Sequence, residues 1–215
     1  MVLDPGHNGG AGQAAENNKL VPAGYGRTKP CNTTGTSTNA GYPEHAYTWD
    51  VANRVATILR AHGVRVLMTR PNDDGVGPCV NVRASIESTP GVAAAVAIHA
   101  DGGPSDGHGF HICEDSRTPE GASATTVARS KTLSYDMRSA LDANSGLTRS
   151  TYIGGGTAFY PRDDLTGLNL STNPTTFLEL GNMRNAGDAA ILSSSSGRAR
   201  IAAAVAAGIL AYLKR

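Results

Sequence analysis

Residues 92–99 read Val-Ala-Ala-Ala-Val-Ala-Ile-His, an apolar run of strand length closed by a histidine. A strand without polar alternation is buried on both faces, the usual state of parallel strands covered by helices. Other parts of the sequence agree. Short strand-like runs at 2–4, 64–69, 109–113 and 175–180 are separated by helix-like stretches. Val51, Val55, Ile58 and Leu59 share one face of a helix predicted over 44–62, with Pro43 suited to its first turn and Gly63 to its C-terminal cap. Leu133, Met137, Ala140 and Leu141 mark a helix over 126–144. Ile201, Val205, Ile209 and Tyr212 mark another over 199–213, and 81–88 reads as a short helix. This alternation predicts an α/β fold, a single domain over 1–215 with a central, mostly parallel (mixed) β-sheet and helices on both faces.

Composition narrows the function classes. With 215 residues the chain can bury a sizeable core. Its net charge of +1 gives no electrostatic case for nucleic acid or an anionic membrane. No stretch approaches the ~18 consecutive apolar residues of a membrane span. The polar, Gly-rich segment 11–41 is longer than an idle loop tends to be, and Leu20-Val21 before Gly24-Tyr25-Gly26 suits a hairpin. Because Val2 and Leu3 already read as strand, the chain is expected to be the mature form of an exported protein, its signal peptide removed.

The three cysteines form no C-x-x-C pair, which argues against a zinc ribbon or a thioredoxin-type site. Two states remain open. Either all three are free thiols, or Cys31 and Cys79 form a disulfide with Cys113 buried and unpaired, which would imply an oxidising compartment.

Ionisable residues gather at predicted strand ends. His7 follows the first strand, His99 closes 92–99, and Glu179 nearly ends 175–180. Open α/β sheets bind ligands at that edge. Glu44 starts the long helix and reaches the same edge if the helix runs back antiparallel to the strands. Two imidazoles and a carboxylate can hold Zn²⁺ with one position left for water, and a nearby second carboxylate can act as general base. Spacing alone does not single these residues out. Taken one at a time, each histidine is better explained as structural, and Glu44 as a carboxylate favoured by the helix dipole.

The ordered motifs change that balance. Val2-Leu3-Asp4-Pro5-Gly6-His7-Asn8-Gly9-Gly10, Glu44 before a long helix, Val66-Leu67-Met68-Thr69-Arg70 followed by Arg83, Ala97-Ile98-His99-Ala100-Asp101, and Pro174-Thr175-Thr176-Phe177-Leu178-Glu179-Leu180-Gly181 followed by Asn185 and Asp188 run through nearly the whole chain. Together they resemble the AmiC-like (Amidase_3) N-acetylmuramoyl-L-alanine amidases. The long loop and the cysteine pair look most like the stand-alone mycobacterial and other actinobacterial members, without a wall-binding module. The resemblance implies one Zn²⁺ on His7, Glu44 and His99, with Glu179 as catalytic base. It also implies cleavage of the amide between muramic acid and L-alanine in peptidoglycan or muropeptides, and an extracytoplasmic location; a monomer is expected. Alternatives are a zinc peptidase cutting within the stem peptide and an inactive wall-binding module. Some relatives carry an inserted helix that blocks the zinc. With one clear helix between His99 and Glu179, no such plug is expected here.

Other residues have two readings each. Arg70 and Arg83 either bind substrate carboxylates or, the favoured reading, pair with Asp73, Asp74 or Glu87. Asn8, next to His7, is expected near the substrate. Asp4 either supports a ligand histidine or caps the turn at Pro5-Gly6. His45 points away from the Glu44 face. His108 and His111 are read as strand-surface histidines, and Gly154-Gly155-Gly156 as a turn near the cleft. Asp101 stands where the family usually has asparagine.

Overall fold

The structure is a computed structural model and describes residues 1–10 and 14–214. Part of the segment 11–41 therefore lies outside the described residues. The strands are β1 (Val2–Pro5), β2 (Leu20–Gly24), β3 (Arg27–Pro30), β4 (Leu67–Met68), β5 (Ala95–Asp101), β6 (His111–Asp115), β7 (Phe159–Arg162) and β8 (Thr175–Asn182). The helices are α1 (Ala14–Asn17), α2 (Glu44–Ala61), α3 (Val80–Glu87), α4 (Ala124–Asn144), α5 (Thr166–Leu170), α6 (Ala186–Ser193) and α7 (Ser195–Leu213), with a 3₁₀ turn at Gly154–Gly156.

Six strands form one sheet in the order β4-β1-β5-β8-β6-β7. The first four are mutually parallel, β6 runs antiparallel to β8, and β7 is parallel to β6. The expected mixed, mostly parallel sheet is thus present. β2 and β3 form a separate hairpin, as the turn residues around Tyr25 suggested.

Period-two alternation sorts the sheet into two unlike faces. Leu3, Val96, Ile98, Leu178 and Ile112 point to a wholly buried layer of α2, α4 and α7. Val51, Val55 and Leu59 of α2, Leu133 and Met137 of α4, and Ile201, Val205 and Ile209 of α7 fill that layer. Each large aliphatic side chain contributes about 1.5–3 kcal/mol when fully buried. The opposite face carries Asp4, Ala97, His99, Phe177, Glu179, His111 and Cys113. The short helices α3 and α5, with the hairpin packed on them, cover it. Helices lie on both faces, as predicted, but the second layer is thin and encloses a cavity.

Several boundaries differ from the sequence reading. The strand expected over 64–69 shortens to Leu67–Met68, because Val64 and Arg65 belong to the loop after α2. The run 92–99 enters the sheet only at Ala95 and continues to Asp101. β7, α5 and α6 were not anticipated. They are short, and α5 and β7 lack the length over which periodicity can be read.

Candidate metal centre and active site

β1 and β5 lie side by side, with Pro5 opposite Ile98. Their C-terminal ends deliver His7 and His99 to one edge, and α2 starts at that edge with Glu44 in its first turn. One nitrogen or oxygen from each of the three lies within 4.8 Å of the others. His7 Nε2 is 3.1 Å from Glu44 Oε2, and His99 Nδ1 is 3.0 Å from Glu44 Oε1. Both Glu44 oxygens also accept backbone N–H groups, from Thr36 at 2.9 Å and Ala100 at 3.1 Å.

The backbone is built around this convergence. His7 has φ +58°, a left-handed conformation that costs a side-chain-bearing residue about 1–3 kcal/mol. Its ring Nδ1–H donates to the Thr33 carbonyl at 2.9 Å, which leaves Nε2 facing Glu44. Gly6 lies so close to His99 that a β-carbon there would sit 2.1 Å from the ring. Gly35 has φ +74°, and a β-carbon on it would come within 2.8 Å of both Glu44 Oε2 and His7. Any larger residue at either position would displace a member of the cluster.

Burial opposes charge on Glu44, yet His7 and His99 outweigh it and hold the carboxyl well below the usual carboxylate range. Burial lowers proton affinity at His7 too, but Glu44 and the Thr33 carbonyl reverse this and raise it. At His99 burial prevails and keeps the imidazole neutral more readily. A carboxylate flanked by two imidazoles, one with its tautomer set by a backbone carbonyl, is a donor set suited to zinc. Glu16 also approaches Cys31 and Cys79, but those sulfurs are joined in a disulfide.

Glu179 stands directly opposite His99 in the β5–β8 register. Its Oε2 is buried and has no hydrogen-bond partner among the described residues. Burial, then the nearby Glu44 and Asp101, push its proton affinity well above normal. Phe177, two residues earlier and hence on the same face, stacks under His99 at 4.3 Å. His7, Glu44, His99 and Glu179 all line one cavity of about 320 Å³ that runs beneath α5 and the hairpin.

The remaining expectations divide. Arg70 is almost wholly buried and pairs with Asp73 at 2.7 Å. It also donates to the carbonyls of Pro5 and His45. Arg83 pairs with Asp4 at 2.7 Å rather than with Asp73, Asp74 or Glu87, and donates to the carbonyls of Pro5 and His7. The two arginines clamp the backbone that presents His7, and their donors are turned to the protein. Asp4 accepts from Arg83 and Thr69, so its carboxylate supports that clamp. Asn8 is only 1% exposed and lines a groove with Gly35, Thr36 and His45. His45 turns to Asp73 at 2.8 Å.

His111 is buried opposite Glu179, and burial pushes its pKa down to about 4. His108 lies in the loop before β6 instead of on a strand. The Gly154–Gly156 turn follows Tyr152, whose hydroxyl donates to Asp101 at 2.8 Å. α4, the long helix between His99 and Glu179, packs on α7 away from the cluster. Cys31 and Cys79 form a disulfide, and Cys113 is free and buried. Among the described residues no helix is long and apolar enough to cross a membrane.

Sequence reasoning missed Phe177, Tyr152, Lys29 and Arg162. Phe177 was recoverable from its i−2 relation to Glu179. Lys29 reaches the cavity from β3 of the hairpin, Arg162 from the unanticipated β7, and Tyr152 touches the cavity-lining Asp101 from a loop, with no local signal.

Residues 1–211 match the Amidase_3 family, described as N-acetylmuramoyl-L-alanine amidase. A curated N-acetylmuramoyl-L-alanine amidase of Mycobacterium tuberculosis is 42% identical over 213 residues, covering 99% of this chain and 86% of that protein. The crystal structure of an N-acetylmuramyl-L-alanine amidase from Mycobacterium smegmatis superposes with TM-score 0.93 at 44% identity, covering 99% of this chain and 95% of the other. The apo form of the corresponding enzyme from Mycobacterium abscessus gives 0.90 at 47% identity, covering 99% and 97%.

Proposed function

The chain belongs to the N-acetylmuramoyl-L-alanine amidase family, and on that premise we propose that it is a zinc-dependent peptidoglycan amidase acting outside the cytoplasm. The observation that carries the reading is the convergence of His7, Glu44 and His99 within 4.8 Å, beside a Glu179 carboxyl oxygen that has no partner among the described residues.

His7, Glu44 and His99 would hold the metal, leaving one side of the cluster open to the cavity. A zinc ion there supplies Lewis acidity, polarising the scissile carbonyl and lowering the pKa of its water to about 7. The positive charge of a bound metal would offset the effect of Glu44 and Asp101 and favour the ionised form of Glu179, which would take a proton from the attacking water as the new C–O bond forms at the lactyl carbonyl. Glu179 then passes that proton to the alanine nitrogen as the C–N bond breaks. Phe177 braces the His99 ring, and Arg70 and Arg83 fix the backbone that carries His7. The Cys31–Cys79 disulfide supports an oxidising, extracytoplasmic setting.

Mass spectrometry of digested muropeptides tests this reading. The expected products are intact stem peptides with a free alanine amine and glycan with a free lactyl carboxylate. Shortened stems still attached to glycan would show a peptidase instead.

A further inference from the structure

A substrate amide held at the cluster has two arms. Its carbonyl carbon carries the lactyl group of muramic acid on one side and the alanine nitrogen of the stem on the other, so the arms leave the cluster in different directions. Two depressions meet there. The cavity that holds Glu179 is lined with charged side chains, among them Lys29, Arg83, Asp101 and Arg162. A second groove, of about 470 Å³, is lined by Asn8, Thr34, Gly35, Ser37 and His45. Thr36 is common to both linings.

The groove begins against the proposed metal ligands. Asn8 follows His7 in the chain, and His45 follows Glu44. Gly35, whose β-carbon would meet Glu44 and His7 at 2.8 Å, belongs to its wall. Thr36 donates its backbone N–H to Glu44 Oε2 at 2.9 Å.

The chemistry of the groove differs from that of the cavity. Among the described residues its lining holds no aspartate, glutamate, lysine or arginine. Thr34, Thr36 and Ser37 offer hydroxyls, which both donate and accept. Thr34 is exposed, and Ser37 and His45 are half-buried, so a ligand can reach them. The Nδ1–H of His45 donates to Asp73 at 2.8 Å, which leaves Nε2 as the acceptor of the ring. Asp73 is held in turn by buried Arg70 at 2.7 Å, so the imidazole has a fixed orientation.

We propose that this groove is the subsite for the muramyl glycan, while the charged cavity takes the stem peptide. The glycan presents hydroxyl and acetamido groups without charge, which match hydroxyls and an imidazole. The stem carries carboxylate and amine groups, which match the charged wall. This inference rests on the amidase reading for the identity of the two arms.

The test compares two substrates with the same stem and the same scissile amide. One is a muropeptide with its disaccharide, and the other is the stem peptide acylated by lactic acid alone. The readout is the ratio of their kcat/KM values for the zinc-loaded protein, in which damage common to both substrates cancels. Wild type should favour the muropeptide. His45→Gln, and independently Ser37→Ala, should each lower the ratio by about fivefold, the loss expected for one hydrogen bond. Lys29→Met, in the other depression, should leave the ratio unchanged. Equal kcat/KM for the two substrates in wild type, a ratio that neither groove variant moves, or a ratio that falls with Lys29→Met instead would each overturn the assignment. Cleavage of neither substrate would remove the amidase reading itself, and the subsite with it.

Discussion

The Nδ1–H of His7 donates to the carbonyl of Thr33 at 2.9 Å, and Thr33 lies two residues after disulfide-bonded Cys31. The partner sulfur is on Cys79, the residue that caps α3. Cys31 also accepts the backbone N–H of Val80 at 2.8 Å. A covalent link between two segments far apart in sequence therefore ends within two residues of the carbonyl that sets a ligand tautomer.

Replacing Cys31 and Cys79 with serine should accordingly have two effects. Stability should fall by about 4 kcal/mol on the chain-entropy relation for a loop of this length. Zinc affinity should weaken about 10–100-fold, as when a partner behind a metal ligand is lost. Urea unfolding and zinc titration measure the two separately. Lost stability with unchanged zinc affinity would show that the link does not reach His7.

Glu179→Gln keeps the shape of the side chain and removes its basicity. Turnover of muropeptides should drop about 10²–10⁴-fold, while zinc content stays at the wild-type level. An unchanged rate would remove Glu179 from the reaction.

Arg83→Met should strand the buried Asp4 carboxylate and cost about 3–5 kcal/mol. Were Arg83 chiefly a substrate contact, stability would hold and only KM would rise. Thermal or urea unfolding beside steady-state kinetics separates the two outcomes.

The Glu87 carboxyl makes a prediction of opposite sign to the usual acid-labile carboxylate. Its folded pKa, about 8, lies above the unfolded value. In between, the folded state binds more protons, so its contribution to stability is present at low pH and declines as pH rises from ~4.5 to ~8. Glu87→Gln removes this titration. Its urea midpoint should fall less than that of wild type between pH 5 and pH 8. Parallel profiles would show that Glu87 is already ionised in the folded protein.

Much of this architecture was legible in the sequence, for identifiable reasons. The run ending in His99 was readable because a strand buried on both faces has no polar alternation. α2 and α7 were readable because each buries one long stripe. His7, His99 and Glu179 were placed by strand ends, whereas Glu44 needed the family motifs, since a glutamate at a helix start has an ordinary electrostatic use. Long-range polar partners were not readable. The pairing of Arg83 with Asp4 and the burial of Asn8 depend on how loops fold over the thin face of the sheet. Asn185 and Asp188, quoted as motif residues, prove to shape the chain: Asn185 caps α6, and Asp188 accepts the N–H groups of Gly109 and Asn182.

If His7, Glu44 and His99 hold one zinc ion, cleavage depends on that ion. This dependence is tested most directly by stripping the protein with a chelator and titrating zinc back while following release of stem peptides from muropeptides. The stripped protein should not cleave, and recovery should saturate at one zinc per chain. Full cleavage by metal-free protein, or none after zinc is restored, would contradict it.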